Sequence, residues 1–390
     1  MSSPLHILIA GAGIGGLTTA LALARNGNRV DVFESAPELG DIGAGVTLAP
    51  NAMRVYGHLG IGDQITAAGV APQSQQVQHW QDGRTLVTFE RGPATYEKYG
   101  APYIYIHRAD LHQILQQSVL ATGRVQIHLA HRVTGAECTT DQISLHFNNG
   151  TQRTGDMIVA ADGVKSALRP LVTQDSPVFS GHIAWRAMVK VKGPVLEKLA
   201  NFPGIHIGPG RMVVRYPVRS SRLLNLVFFA RQTGWQEEGW SIPAAKSDLE
   251  KIFDGWCPDV KAMIGAIHEN ALHRWAIFAR RPLDIWTWRN RLCLLGDAAH
   301  ATTPFLGQGA AAAIEDALVL ARALEASATL AEGLFRYESA RVGHCAFVQT
   351  ESNANADRLQ GTESELYGLT RLRNEETLGL FDYDVAKIPI

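Results

Sequence analysis

The chain has 390 residues, 46% of them hydrophobic and 19% charged, with a formal net charge of -1. That length holds about two domains with sizeable cores, the balanced charge excludes the basic surplus of a nucleic-acid binder, and the apolar content excludes intrinsic disorder. Cys138, Cys257, Cys293 and Cys345 lie far apart with no C-x-x-C spacing, which argues against a metal site or a disulfide framework and suits a reducing, cytoplasmic setting.

No lysine or arginine precedes the short apolar run at 5–10, so a secretory leader fits badly. No uncharged stretch approaches the roughly 18 residues of a membrane span. In chain order, His6–Ala10 predicts a strand, 11–16 a glycine turn, 17–26 an Ala/Leu-rich helix stopped by Gly27, and Arg29–Phe33 a second strand ending at Glu34. These form one βαβ unit with a right-handed crossover. A second glycine-rich segment at 40–45 leads to a helix over 52–59.

Residues 75–89 are strand-like, 101–106 form an apolar run and 110–121 a helix. Strands follow at 125–129, 131–138 and 142–147, with Asn148-Asn149-Gly150 as a hairpin turn. A buried strand at 156–160 ends in the turn Ala161-Asp162-Gly163. From Gly181 to Arg231 the pattern predicts a β-meander with strands at 182–191, 211–218 and 223–231. Helical pattern returns over 247–264, a last buried strand occupies 291–295, and two helices cover 309–328 and 330–358. The fold class is therefore α/β, a Rossmann-like dinucleotide domain interrupted by a mainly antiparallel β-sheet substrate domain, with C-terminal helices. The first domain takes 1–74, 98–178 and 275–328, the second 75–97 and 179–274, and 329–390 forms a helical segment and tail.

Gly11-Ala12-Gly13-Ile14-Gly15-Gly16 has the full context of a dinucleotide fingerprint, between a strand and a helix. Gly11 permits the tight turn, Gly13 lets backbone approach a pyrophosphate, and Gly16 allows close helix–strand packing. The helix start offers unpaired N–H groups to phosphate. Glu34, followed by Ser35, is placed to hydrogen-bond ribose hydroxyls. These residues leave FAD and NAD unresolved.

Two further segments carry a family resemblance. The run 158–169, IVAADGVKSALR, resembles the "DG" motif of flavin aromatic hydroxylases, and 294–300, LLGDAAH, continuing through Pro304 and Gly307-Gln308-Gly309, resembles their "GD" motif. Residues 104–111 and 348–356 strengthen the placement. The chain thus resembles salicylate hydroxylase-like single-component FAD-dependent monooxygenases, and also 6-hydroxynicotinate 3-monooxygenase. The resemblance implies a bound FAD, NADH or NADPH as a transient co-substrate, and transfer of oxygen from O2 through a C4a-hydroperoxyflavin. It assigns Asp297 to the ribityl or phosphate region, Arg108 to a flavin contact, Gly307, Gly309 and Ala310 to the flavin ring, and Asp162 either to cofactor or to shaping its turn. Thr47, counted among the cofactor-contacting residues, stands where 6-hydroxynicotinate 3-monooxygenase carries a histidine. Pro304 matches the proline beside the reacting flavin edge, and its carbonyl is left free to accept a hydrogen bond.

The implied substrate is a hydroxylated aromatic or N-heteroaromatic carboxylic acid, with urate-type and hydroxypyridine-type heterocycles as alternatives. A flavoprotein oxidase, a halogenase-type enzyme or a non-catalytic FAD-binding redox protein are further alternatives; Trp286-Thr287-Trp288 only superficially resembles the halogenase motif. In the 211–218 strand, period-two alternation sets Arg211 and Arg215 on one face and Met212, Val214 and Tyr216 on the other. Arg211 and Arg215 are expected to clamp a carboxylate or stabilise a phenolate, and Tyr216 to relay a proton or position the ring. His206 and His300 are candidate proton carriers. Met188, Met212, Phe228 and Phe229 are candidate cavity residues. No nucleic acid or membrane partner is expected, and a homodimer is compatible with the sequence. The aromatic tail at 380–384 resembles the terminal segment of the group and has no readable role.

Overall fold

The structure, a computed structural model, describes residues 4–39, 43–234, 242–369 and 372–390. Residues 40–42 of the second glycine-rich segment lie outside the described residues. Two large sheets organise the chain. The first has six strands in the order Thr287–Trp288, Leu292–Leu294, Met157–Ala160, His6–Ala10, Arg29–Phe33 and Val125–His128. All neighbours pair in parallel except the terminal Thr287–Trp288 strand. Ile7, Leu8 and Ile9 are wholly buried, which is why this strand reads as an unbroken apolar run rather than an alternation. Helices Ile14–Arg25, Arg108–Ala121 and Gly309–Glu325 pack around it.

The second sheet has eight strands, ordered Ile242–Pro243, His273–Ala279, Val178–Lys190, Leu223–Arg231, Arg211–Val218, Gly204–Gly208, Ser74–His79 and Thr85–Glu90. Only the Gly204–Gly208 and Ser74–His79 pair is parallel. One face is covered by the short helices Pro194–Asn201, Lys246–Ile252 and Pro258–Gly265 over a core containing Trp185, Val213, Phe228 and Trp256. Its opposite face carries Ala184, Met212, Phe229 and Ile277 against Phe305 of the dinucleotide domain.

Local chemistry explains where elements depart from the sequence expectation. The 75–89 pattern is a hairpin turning at Gly83, which adopts φ +71°. The helical stretch 247–264 splits in two: Gly255 takes φ +76°, and Pro258, lacking an N–H, starts the second helix. Helices expected at 110–121 and 309–328 run Arg108–Ala121 and Gly309–Glu325, and the last strand is Leu292–Leu294. Strands Gly45–Leu48, Gly204–Gly208 and His273–Ala279 were hidden by their shortness or their polar residues. Among the described residues no helix is long and apolar enough to cross a membrane.

Candidate active site: a cleft between the two sheets

The first sheet ends its parallel strands at one edge, where open α/β sheets bind ligands. There a cleft of ≈ 380 Å³ is lined by Gly13, Ile14, Gly15, Val46, Arg108, Asp297, Pro304, Gly307, Gly309 and Ala310, among others. It shares Asp297, Thr302 and Pro304 with a larger cavity of ≈ 570 Å³ that reaches Lys165, Asp175, Trp275, Ile277 and Arg280. Two helix starts meet the cleft, Ile14–Arg25 and Gly309–Glu325. Neither has a side-chain cap or an acidic residue in its first turn, so both present amide N–H groups and partial positive charge to a ligand.

The glycines are required here by contact. Gly11 adopts φ +99°, and a Cβ on it would lie 2.4 Å from the Ala161 carbonyl oxygen; a Cβ on Gly16 would lie 2.0 Å from the Gly11 carbonyl oxygen. A Cβ on Gly13 would meet no protein atom within 4 Å, which leaves room for phosphate. Glu34 is tied to the same loop: its Oε2 accepts the Ala12 N–H at 3.0 Å, and its Oε1 accepts the Ala36 N–H at 2.9 Å and the Ser35 hydroxyl at 3.0 Å. Thr302 Oγ1, in the wall shared by both cavities, is buried without a hydrogen-bond partner, a polar atom suited to a bound ligand.

Asp297 is exposed and lines both cavities. Desolvation by the surrounding protein raises its carboxyl pKa, against the opposing charges of His300 and Arg108. Burial likewise lowers the Arg108 pKa, with Asp297 opposing. Asp162 does not line the cleft. Its Oδ2 accepts the Ala167 N–H at 2.8 Å and shapes the turn, while Oδ1 is unpartnered. Pro304 does line the cleft, but its carbonyl already accepts the Gly307 N–H at 3.0 Å. The expectation of a free carbonyl is thereby corrected, and one lone pair stays available.

The strand expected to meet substrate differs most from expectation. Arg211 and Arg215 lie on the helix-covered face of the eight-stranded sheet, away from the cleft. Arg215 is 1% exposed and donates to His206 Nδ1, the Gln78 side chain and the Phe202 carbonyl; burial lowers its pKa to about 10. Arg211 donates to the Ile252 carbonyl and lies over Trp256. Both arginines, assigned from the sequence to substrate, hold the helices onto the sheet. Arg215→Ala is therefore expected to cost about 3 kcal/mol of stability by stranding buried partners, with substrate affinity unchanged; thermal unfolding and ligand titration check this. His206 is the acceptor for Arg215, and burial pushes its pKa well down. Phe228 also faces the helices.

The opposite face bears Met212, Val214 and Tyr216, with Phe229, Val227 and Asn225 directly opposite them. Across the next strand stand Ala184, Arg186 and Met188. The Tyr216 ring abuts Gly45, where a Cβ would sit 2.4 Å from Cε2. Burial raises the pKa of its hydroxyl, with nearby Thr47 opposing. Tyr216 is neutral at ordinary pH, so its hydroxyl can donate a hydrogen bond but cannot act as a base. Thr47 meets Tyr216, while its neighbour Val46 lines the cleft. Two wall residues escaped sequence reasoning. Asn225 accepts the Gly45 N–H at 2.9 Å and keeps a buried, unpartnered Nδ2. Arg186, 8% exposed, lies 5.4 Å over the Trp275 ring on the cleft side of the sheet.

The fit of this cleft to a flavin dinucleotide is matched by kinship: the profile of the FAD binding domain family covers residues 5–349. The chain belongs to the FAD binding domain family. This FAD binding domain protein is 38% identical over 340 residues to 3-amino-4-hydroxybenzoate 2-monooxygenase PtnB3 of Streptomyces platensis, covering 86% of this chain and 84% of that one. It is 36% identical over 323 residues to 3-hydroxybenzoate 6-hydroxylase of Polaromonas naphthalenivorans, covering 82% and 79%. Klebsiella pneumoniae HpxO, solved with FAD and uric acid, superposes with a TM-score of 0.85 at 28% identity, over 97% of this chain and 96% of that one. The chain is an FAD-dependent monooxygenase.

Behind the second helix start, this FAD binding domain protein buries a charged cluster. Asp316 accepts from His300 Nε2 at 2.6 Å, from the Gly296 N–H at 3.0 Å and from Arg341 Nε at 2.7 Å. Burial would raise the Asp316 carboxyl, but His300 and Arg341 hold it down to about 2. Arg341 also donates to Glu315 at 2.8 Å. His300 is thus committed to Asp316, and its ring packs on Trp286 with centroids 5.2 Å apart. Trp286 is core in consequence. His300, Asp316 and Cys345 come together closely enough to suggest a metal group, yet Arg341 already supplies their cation.

Proposed function

We propose that the chain hydroxylates a hydroxylated aromatic or N-heteroaromatic carboxylate, consuming NADH or NADPH and O2. The observation that carries the substrate class is the pair of cations on the cleft side. Arg186 lies on the cleft-facing side of the eight-stranded sheet, near enough to Arg108 for the charge of one to bear on the other, so an anion entering from the cleft is drawn by both. Arg186 is offered as the group that takes the carboxylate or phenolate, in an otherwise apolar wall of Met212, Phe229, Ile277 and Phe305.

Glu34 and Ser35 are placed for the adenosine ribose, the Gly13–Gly15 amides for the pyrophosphate, Asp297 and Arg108 for the ribityl region, and Val46, Pro304, Gly307, Gly309 and Ala310 for the flavin ring. Bound FAD supplies hydride acceptance from the nicotinamide and activation of O2. The protein's own contribution is orientation and dryness. Tyr216 and the free Nδ2 of Asn225 orient the ring hydroxyl, while Arg186 holds the carboxylate. The apolar wall excludes water from the reacting edge. We place this enzyme in the cytoplasm, where its four free cysteines stay reduced.

A panel of 3-hydroxybenzoate, 6-hydroxynicotinate and urate, with 3-hydroxybenzamide as the neutral counterpart, tests this reading. At least one anion is expected to raise NADH or NADPH oxidation several-fold over the substrate-free rate, and the amide is not. Equal stimulation by acid and amide contradicts the anion assignment.

A further inference from the structure

Residues 380–384 form no part of the cofactor or substrate walls, yet two of their aromatic rings are packed in opposite directions. Phe381 is fully buried and stands edge-on to Tyr99 and Tyr103, with centroids 5.3 and 6.1 Å away. Tyr103 stands edge-on to Tyr105 at 5.5 Å, and Tyr105 stacks on Tyr216 at 4.6 Å with planes 12° apart. An unbroken row of rings therefore joins the tail to the tyrosine of the substrate wall. Arg91 fastens its near end, 5.0 Å over Tyr103 and 5.4 Å over Phe381, and pairs with Glu375 and Glu376 of the same terminal segment.

Tyr383 takes the other direction. Its ring stacks on His344 at 3.7 Å, with planes 9° apart, and Arg341 lies 5.6 Å over it. Arg341 is the cation holding Glu315 and Asp316, the buried acids of the helix whose start meets the cofactor cleft. Between the two rings the backbone is fixed by Arg54, whose Nη2 donates to the carbonyls of Phe381 at 2.7 Å and Tyr383 at 2.9 Å. Arg54 belongs to helix Pro50–His58. In the same helix Asn51 donates to Gln308 at 3.0 Å and Glu315 at 2.7 Å, so the tail's anchor is itself tied to the cofactor helix.

We propose that residues 380–384 are a positioning element that sets the substrate wall through Phe381 and the cofactor helix through Tyr383. Close-packed rings do not deform continuously, so a vacancy at either end lets the next ring settle elsewhere. Neither residue touches substrate or cofactor; each acts through the residues it packs against. The inference rests on the reading of the cleft as an FAD-dependent hydroxylase site.

Full-length Phe381→Ala and Tyr383→Ala enzymes, compared with wild type by amide hydrogen exchange and FAD titration, test it. Phe381→Ala is expected to raise exchange several-fold in 104–107 and 211–218, leaving 309–316 and FAD affinity unchanged. Tyr383→Ala is expected to raise exchange at 309–316 and weaken FAD binding about tenfold, leaving 211–218 unchanged. Phe381→Leu, which keeps most of the volume, and Tyr383→Phe, which keeps the stacked ring, are expected to restore most of each effect and provide folded variants if the alanines fail. Exchange that rises uniformly, or equally in both regions for both variants, overturns the proposal. A wild-type chain that takes up no FAD would sink the cofactor reading instead, and the regional split of exchange still decides the role of the tail.

Discussion

Gly13→Ala is expected to give a well-folded protein that purifies without FAD. A Cβ at this position meets no protein atom within 4 Å, and the backbone there is already extended, at φ -70° and ψ -177°, so the fold bears no added strain. The methyl group instead occupies the space through which the first helix presents its amides. Displacing a phosphate from charge-assisted N–H contacts costs about 3 kcal/mol, roughly a hundredfold in affinity. Gly16→Ala is the informative partner, because its Cβ would lie 2.0 Å from the Gly11 carbonyl oxygen. That variant is expected to lose stability as well as FAD, since the helix must move off the strand. Flavin absorbance of the purified proteins and thermal unfolding of the FAD-free forms separate the two. A yellow Gly13→Ala protein with wild-type FAD affinity would show that the first glycine loop is not the pyrophosphate site.

Removing the Arg186 cation is expected to damage substrate recognition selectively. Arg186→Gln keeps hydrogen-bonding capacity and much of the packing against Trp275 but deletes the charge. Loss of a buried charge-assisted hydrogen bond costs about 2 kcal/mol, so kcat/KM for an anionic substrate should fall roughly 30-fold. Binding of a neutral amide analogue should change little. The discriminating readout is the ratio of acid to amide affinity, followed through the flavin spectrum. A ratio that stays at the wild-type value would remove Arg186 from substrate recognition. Arg186→Lys restores the charge without the planar fork and is expected to fall between the two.

Much of the sequence pattern around the cleft can be read directly from residue order. The glycine loop, Glu34, Asp297 and the Gly307–Ala310 turn are local features, each encoded by a short strand, a turn and a helix start in succession. The substrate half is not local. Alternation along 211–218 separated Arg211 and Arg215 from Met212 and Tyr216 correctly, but alternation alone does not say which face meets the cleft. The helices that cover one face come from 194–201 and 246–265, distant in sequence, and they claim the arginines. Buried arginine looks like a surface charge or a substrate clamp in a bare sequence, because its partners here, Gln78, His206 and the Phe202 carbonyl, are recruited from other strands and turns. Arg186 was missed for the mirror-image reason. It sits in a strand of mixed polar and apolar residues, and only pairing with 223–231 and 273–279 shows that it shares a face with Tyr216 and Trp275.

The most direct measurement of the whole account is the isotopic composition of the product formed from an accepted hydroxylated aromatic acid under ¹⁸O2, with NADH or NADPH as reductant. The proposed function predicts a ring-hydroxylated product carrying one labelled oxygen atom, in step with nicotinamide consumed. Nicotinamide oxidation that yields only hydrogen peroxide across every acid tried, with no labelled ring product, would contradict it.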